Sequence, residues 1–230
     1  MSMPMFDPLY YILALPALLL GLYAQFKVRA AYSKYTRVAN RGGISGVEAA
    51  QRLLAHVGLT EVGVQGTSGQ LTDHYDPRNK TLFLSGGVAQ VPSVAALGIV
   101  AHEVGHAVQD HEGYLPLKLR GSIVPVVQIG SWLGPIIFIA GMLLPFPNLL
   151  LIGLLLFSGT LVFALVTLPV EFDASRRAVA MLTASRLVTT EERRGAKAVL
   201  DAAALTYVAA AAQAISTILY YIMLMGRRRD

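Results

Sequence analysis

Three long stretches of this chain carry neither a charged residue nor a histidine, and they constrain its fold more than anything else in it. They run from Pro8 to Phe26, from Gly121 to Val170 and from Ala202 to Gly226. A helix needs about 20 mostly apolar residues to cross a bilayer, at about 1.5 Å of rise per residue. The first and third stretches each match one crossing. The middle one has 50 residues, room for two crossings and a turn, and Pro145-Phe146-Pro147-Asn148 supplies the turn near its centre. Four spans are therefore predicted, at 8–26, 123–144, 148–168 and 203–225. Met1 to Asp7 has no basic residue and no clear cleavage site follows Phe26, so the first stretch reads as a span rather than a signal peptide. Composition agrees: 54% of residues are hydrophobic and only 14% charged, against about 25% charged in a soluble domain.

The charges gather beside the spans. The segments 27–120 and 169–200 hold 10 and 6 of the 19 basic residues, and only Arg227, Arg228 and Arg229 fall on the opposite side. Basic residues flanking spans are explained by anionic lipid and topology, not by nucleic acid. The bias favours a cytoplasmic location for 27–120 and 169–200. The chain has no cysteine, which excludes disulfides, thiolate zinc sites and a cysteine nucleophile.

Between the first two spans the pattern becomes that of a small α+β domain. A helix is predicted over 27–40, broken by Arg41-Gly42-Gly43. Ser45 and Glu48 have capping-box spacing at the head of a second helix, which Gly58 ends. His56 in its last turn reads as a surface or capping residue. Gln70–Tyr75 and Thr81–Ser85 read as strands joined by a turn at Asp76-Pro77, in a sheet of two or three strands. Ser93 is the expected N-cap of a buried helix running to about Asp110 and closed by Gly113. Beyond the third span, Pro169-Val170-Glu171 leads into another helix to about Leu187, and Thr189 or Thr190 caps the one that enters the last span.

The buried helix carries the chemistry. In GIVAHEVGHAVQD (98–110), His102 and His106 lie one helical turn apart, so both imidazoles leave the same face and can bind one tetrahedral metal ion. Glu103 sits at the edge of that face. It can act as a base without being a ligand, taking a proton from a zinc-activated water and passing it to a leaving amine. Two satisfied histidines in an ordinary helix are the plainer alternative, but two unpaired imidazoles in the middle of an apolar helix are costly to bury.

Two imidazoles do not complete a site. His111 would point to a different face, and its spacing from His106 does not fit the longer metzincin pattern. His74 could reach in from its strand. Glu171 is the stronger candidate, because a hairpin of the second and third spans returns it to the side of the motif helix, and it is the first ionisable residue to emerge. Its alternative role is an interfacial carboxylate paired with Arg176 or Arg177.

The chain resembles the YugP-type neutral zinc metallopeptidases, a prokaryotic membrane family. The resemblance rests on LTDHYDPRNKTLFLS, IVAHEVGHAVQD, GYLPLKLR, TLPVEFDASRRA and AALTYVAAA, which together reach from Leu71 over most of the remaining chain. It implies a gluzincin-type zinc peptidase of the prokaryotic plasma membrane, with His102, His106 and Glu171 as ligands, Glu103 as base and Zn2+ as cofactor. A more distant similarity to the HtpX-type membrane proteases is also present. Those carry an aspartate four residues after the glutamate ligand, orienting a histidine; here that position is Ser175, and an acid stands at Asp173.

The expected fold is thus mainly α: a multi-pass membrane protein with about four transmembrane helices and a small α+β zincin-like catalytic domain, 27–120, completed by the helical segment 169–200. Leu82, Phe83 and Leu84 are the candidate substrate-binding edge strand, the alternative being an ordinary sheet strand. His74, Tyr75, Arg176 and Tyr207 are candidates for stabilising the transition state. Expected partners are protein or peptide substrates and the lipid bilayer, with membrane-protein partners or a homo-oligomer left open and no nucleic acid. The competing function is a catalytically silent membrane scaffold that keeps a structural zinc site. A metal transporter would place ionisable residues inside the spans, and there are none.

Overall fold

The structure is a computed structural model describing residues 8–227. Met1–Asp7, and with them the absence of a basic leader, lie outside the described residues, as do Arg228 and Arg229 of the charge argument. The chain is mainly helical. Among the described residues, four helices are long and apolar enough to cross a membrane, with mean hydropathies between 1.7 and 2.7. They are α1 (Pro8–Thr36), α5 (Leu115–Leu143), α6 (Pro147–Ala184) and α7 (Thr190–Arg227). Between α1 and α5 come α2 (Gly46–His56), β1 (Gly63–Thr67), β2 (His74–Asp76), β3 (Thr81–Ser85), α3 (Gly86–Ala89) and α4 (Val94–His111).

Two compact units form. One is made of Phe26–Leu117 and Pro169–Ala204; the other of Lys118–Leu168 with the stretches before Phe26 and after Ala204. In the second, the glycines set the packing. A Cβ on Gly130 would come 2.7 Å from the Leu156 carbonyl oxygen, and one on Gly153 2.5 Å from the Phe138 backbone nitrogen. The α5 and α6 backbones thus touch where neither has a side chain, the close approach that small residues permit between membrane helices. Phe138 stacks on Tyr221 of α7 at 4.0 Å between ring centroids. Ser216 of α7 donates to the Leu13 carbonyl of α1 at 2.7 Å.

The other unit has its own core, in which Leu53, Leu82, Leu97, Val100, Val104 and Leu182 are all fully buried. Local signals build its helices as expected. Ser45 accepts from the Glu48 N–H and Ser93 from the Ala96 N–H, so both N-caps hold. Gly58 and Gly113 follow α2 and α4 at φ +76° and +68°, the left-handed region glycine enters without cost.

Three expectations need correcting. The helix predicted over 27–40 ends at Thr36 and continues α1 without a break. Pro169 lies inside α6 rather than between two helices. Most consequential, Leu82, Phe83 and Leu84 do not form an edge. The sheet order is β1-β3-β2, with β1 parallel and β2 antiparallel to the central β3. It is therefore paired on both sides over Thr81–Phe83, with β1 continuing along Leu84 and Ser85 and the Ser85 N–H bonded to the Asp73 side chain, and four of its five residues are buried. A nearly continuous apolar run is what such a central position requires.

Candidate metal centre

Helix α4 carries both histidines, and α6 brings the carboxylate to them. The approach depends on Gly105, between Glu103 and His106. A Cβ there would lie 2.7 Å from the Ala174 carbonyl oxygen of α6, so glycine allows the two backbones to meet. Glu171 stands one turn before Ala174, on the same side. Its Oε2 is 3.1 Å from His102 Nε2 and 3.7 Å from His106 Nε2. The two rings meet nearly edge to face, at 83°. One donor atom from each of the three residues fits within 4.8 Å of the others, a grouping able to hold a metal ion. Glu171 is buried, and both imidazoles are mostly so.

The chemistry of the donors decides whether zinc fits. Two imidazole nitrogens and a carboxylate oxygen are its usual ligands, provided each imidazole presents a lone pair. The neighbours of the rings settle this for His106. Gln109 Nε2 donates to the Val170 carbonyl at 2.9 Å and to Asp173 Oδ2 at 3.0 Å. The amide oxygen must then be the group facing His106 Nδ1, 3.0 Å away. An oxygen can only accept there, so Nδ1 carries the proton and Nε2 keeps its lone pair, toward Glu171. His102 Nδ1 has the Ser175 hydroxyl at 3.2 Å, leaving its own Nε2 toward the same carboxylate. The residues fit the ion.

Glu103 is also buried, and its Oε2 accepts the Tyr75 backbone N–H at 2.9 Å. Burial pushes its carboxyl above the ordinary glutamate range, against the opposing pull of His102 and His106. Glu171 moves the other way: burial disfavours its charge, but where Nε2 carries a proton rather than a metal, the imidazoles of His102 and His106 hydrogen-bond to it, outweigh that and hold it well below the ordinary range. Burial works to lower His106, yet the Glu171 bond and the Glu103 charge leave it raised. Two carboxylates with opposite shifts within one site suit separate duties, one permanently charged and one able to exchange a proton.

The remaining sequence candidates fall in varied places. His74 is exposed, stacks on Phe83 at 4.9 Å and has Nδ1 2.8 Å from the Thr72 carbonyl. Tyr75 gives its hydroxyl to Asp110 at 2.9 Å, so it meets the site through its backbone. Burial, followed by that bond, raises its phenol well above the ordinary value. Arg176 and Arg177 both bond Asp173, and Arg177 also reaches Glu112 at 2.8 Å. Asp173 is thus the shared partner of the two arginines. Tyr207 is on α7 in the other unit. His56 is exposed at the end of α2, and His111 is exposed at the last residue of α4.

Gln109 is the residue that reading the sequence overlooked. It is fully buried, three positions after His106, and an uncharged polar side chain in so apolar a helix was its only signal.

Comparison with known proteins gives this geometry a context. Residues 10–226 match the family described as "Putative neutral zinc metallopeptidase". The chain is 43% identical over 222 residues to "Putative membrane protease YugP" of Bacillus subtilis (strain 168), covering 96% of this chain and 99% of that relative. No solved structure matches. With four candidate spans and a zinc-compatible triad between Leu97 and Ala174, the chain belongs to this membrane family of neutral zinc metallopeptidases.

Proposed function

We propose that this protein is a zinc-dependent metalloendopeptidase of gluzincin type, with a zincin-like site made by α4 and α6. The observation that carries the reading is a buried Glu103 carboxylate beside a triad whose free nitrogens face one carboxylate. His102, His106 and Glu171 would hold the ion. Zinc bound there supplies a Lewis acid that polarises a carbonyl and lowers the pKa of water to about 7. The chain's own groups do the rest. The Tyr75 N–H fixes Glu103 through Oε2, which leaves Oε1 for the proton. Glu103 takes that proton from the water attacking the scissile carbonyl carbon. It then gives the proton to the amide nitrogen as the C–N bond breaks, and ends ionised as it began.

The competing reading, a silent scaffold around structural zinc, is less well supported. Structural zinc is normally closed by four protein ligands, and the grouping found among the described residues has three. A scaffold also gives no reason to bury a carboxyl beside the site. Helix α6 runs without interruption from the apolar stretch 148–168 into Glu171. This supports action on membrane or membrane-proximal proteins, and the basic-residue bias supports a cytoplasmic site in a prokaryotic plasma membrane.

The test is proteolysis by the purified chain in detergent with an unfolded protein as substrate. Zinc-dependent cleavage should fall by about 100- to 10,000-fold in Glu103→Gln, with zinc content unchanged. Equal cleavage by Glu103→Gln would overturn the assignment of the base.

A further inference from the structure

We infer that Gln109 and Asp173 act as one positioning unit for His106, an amide relay that selects which ring nitrogen faces the metal. The inference rests on the metal site proposed above. Zinc ligands of this kind usually give their second ring N–H directly to a carboxylate, a backbone carbonyl or water. Here Asp173 does not touch the histidine. Its Oδ2 accepts from Gln109 Nε2 at 3.0 Å, and Gln109 Oε1 faces His106 Nδ1 at 3.0 Å.

The order of donors and acceptors gives the relay its direction. An amide can rotate by half a turn and exchange its oxygen and nitrogen at little steric cost. Rotated, Gln109 would aim an N–H at His106 Nδ1, stabilise the opposite tautomer and place the proton on Nε2, where the metal must bind. Two acceptors prevent this. Val170 O and Asp173 Oδ2 both require the nitrogen on their side. Asp173 is itself held between two cations, with Arg176 on Oδ1 and Arg177 on Oδ2. Arg177 Nε reaches it at 2.5 Å and carries the chain on to Glu112 at 2.8 Å. Gln109 is wholly enclosed, so water cannot replace either partner. The two ligands are therefore held differently, His102 by a hydroxyl and His106 by an amide backed by a charge.

The experiment measures zinc affinity of the full chain in detergent, by chelator competition, beside thermal melting of the metal-stripped protein. Gln109→Leu should bind zinc about 10- to 100-fold more weakly than the unaltered chain. Asp173→Asn should weaken it in the same direction, but add nothing in the Gln109→Leu background, because it acts through the amide. Gln109→Glu has the same size and sets two carboxylates against each other, so it should also bind weakly. Adding Asp173→Asn to it restores a donor opposite the new carboxylate, though not opposite the Val170 carbonyl, and should recover part of the affinity. A residue that merely fills space gives no such reciprocal rescue. Unchanged affinity in a folded Gln109→Leu, or additive losses in the double variant, would overturn the relay while leaving the metal site standing. An unaltered chain that binds no zinc would overturn the site and the relay together.

Discussion

At the scale of single residues, their surroundings shift two buried glutamates in opposite directions. Glu171 is kept charged by the histidines and Glu103 is kept closer to neutrality by its surroundings. The sign of the consequence for pH is fixed. Glu103 can accept a proton only when ionised, and its raised pKa means that ionisation comes later than the ordinary 4.5 as pH rises. Activity should therefore climb with pH along an acid limb lying above 4.5, as read from kcat/KM against pH. The same shift makes Glu103 a stability term that is full at low pH and lost as pH rises through its folded pKa. A limb at or below the ordinary glutamate value would show that burial does not govern this carboxyl. His102, Glu103 and His106 were legible because helical periodicity alone puts them together. Gln109 shares that periodicity but is a residue type with many bland uses. The link of Asp173 to His106 passes through it, 64 positions away, a separation no local pattern reports.

Elements show the same divide between local and distant causes. The caps at Ser45 and Ser93 were readable because each bond spans three residues. Strand β1, Gly-Val-Gln-Gly-Thr, was missed because two glycines and a glutamine have little strand preference. Missing it made β3 look like an edge, since its parallel neighbour was the missing strand. The edge positions in this sheet belong to β1 and β2, and β2 already spends the Tyr75 N–H on Glu103. Helix contact is the element-scale property on which the site depends. Gly105→Ala puts a methyl 2.7 Å from the Ala174 carbonyl oxygen, so α4 and α6 must separate. A loss of about 1–3 kcal/mol in stability is expected from such overpacking, together with weaker zinc binding as Glu171 draws back. Melting and zinc titration of that variant check both. Unchanged values would mean that the helices do not meet as described.

For the whole molecule, the apolar stretches were legible because bilayer thickness imposes a length that sequence cannot hide. What stayed hidden was their continuation. Helix α6 has 38 residues and passes Pro169 to reach Glu171, and α7 has 38 and joins its charged first turns to its apolar part. A change in charge density was read as a boundary, but the backbone hydrogen bonding ignores it. Orientation is the property of the intact molecule that can be tested most simply, because the chain has no cysteine. Arg52, exposed on α2, can be replaced by a single cysteine and probed with a membrane-impermeant maleimide. No labelling in intact cells and full labelling after lysis is the cytoplasmic result. Labelling of intact cells would place the unit that carries α2 outside.

The proposed centre has His102, His106 and Glu171 on the zinc and Glu103 off it. Metal content of the purified chain, measured beside Glu171→Ala and Glu103→Gln, addresses it directly. About one zinc per chain is expected, retained in Glu103→Gln and lost or much weakened in Glu171→Ala. Full retention in Glu171→Ala, or no zinc in the unaltered chain when zinc is supplied, would contradict it.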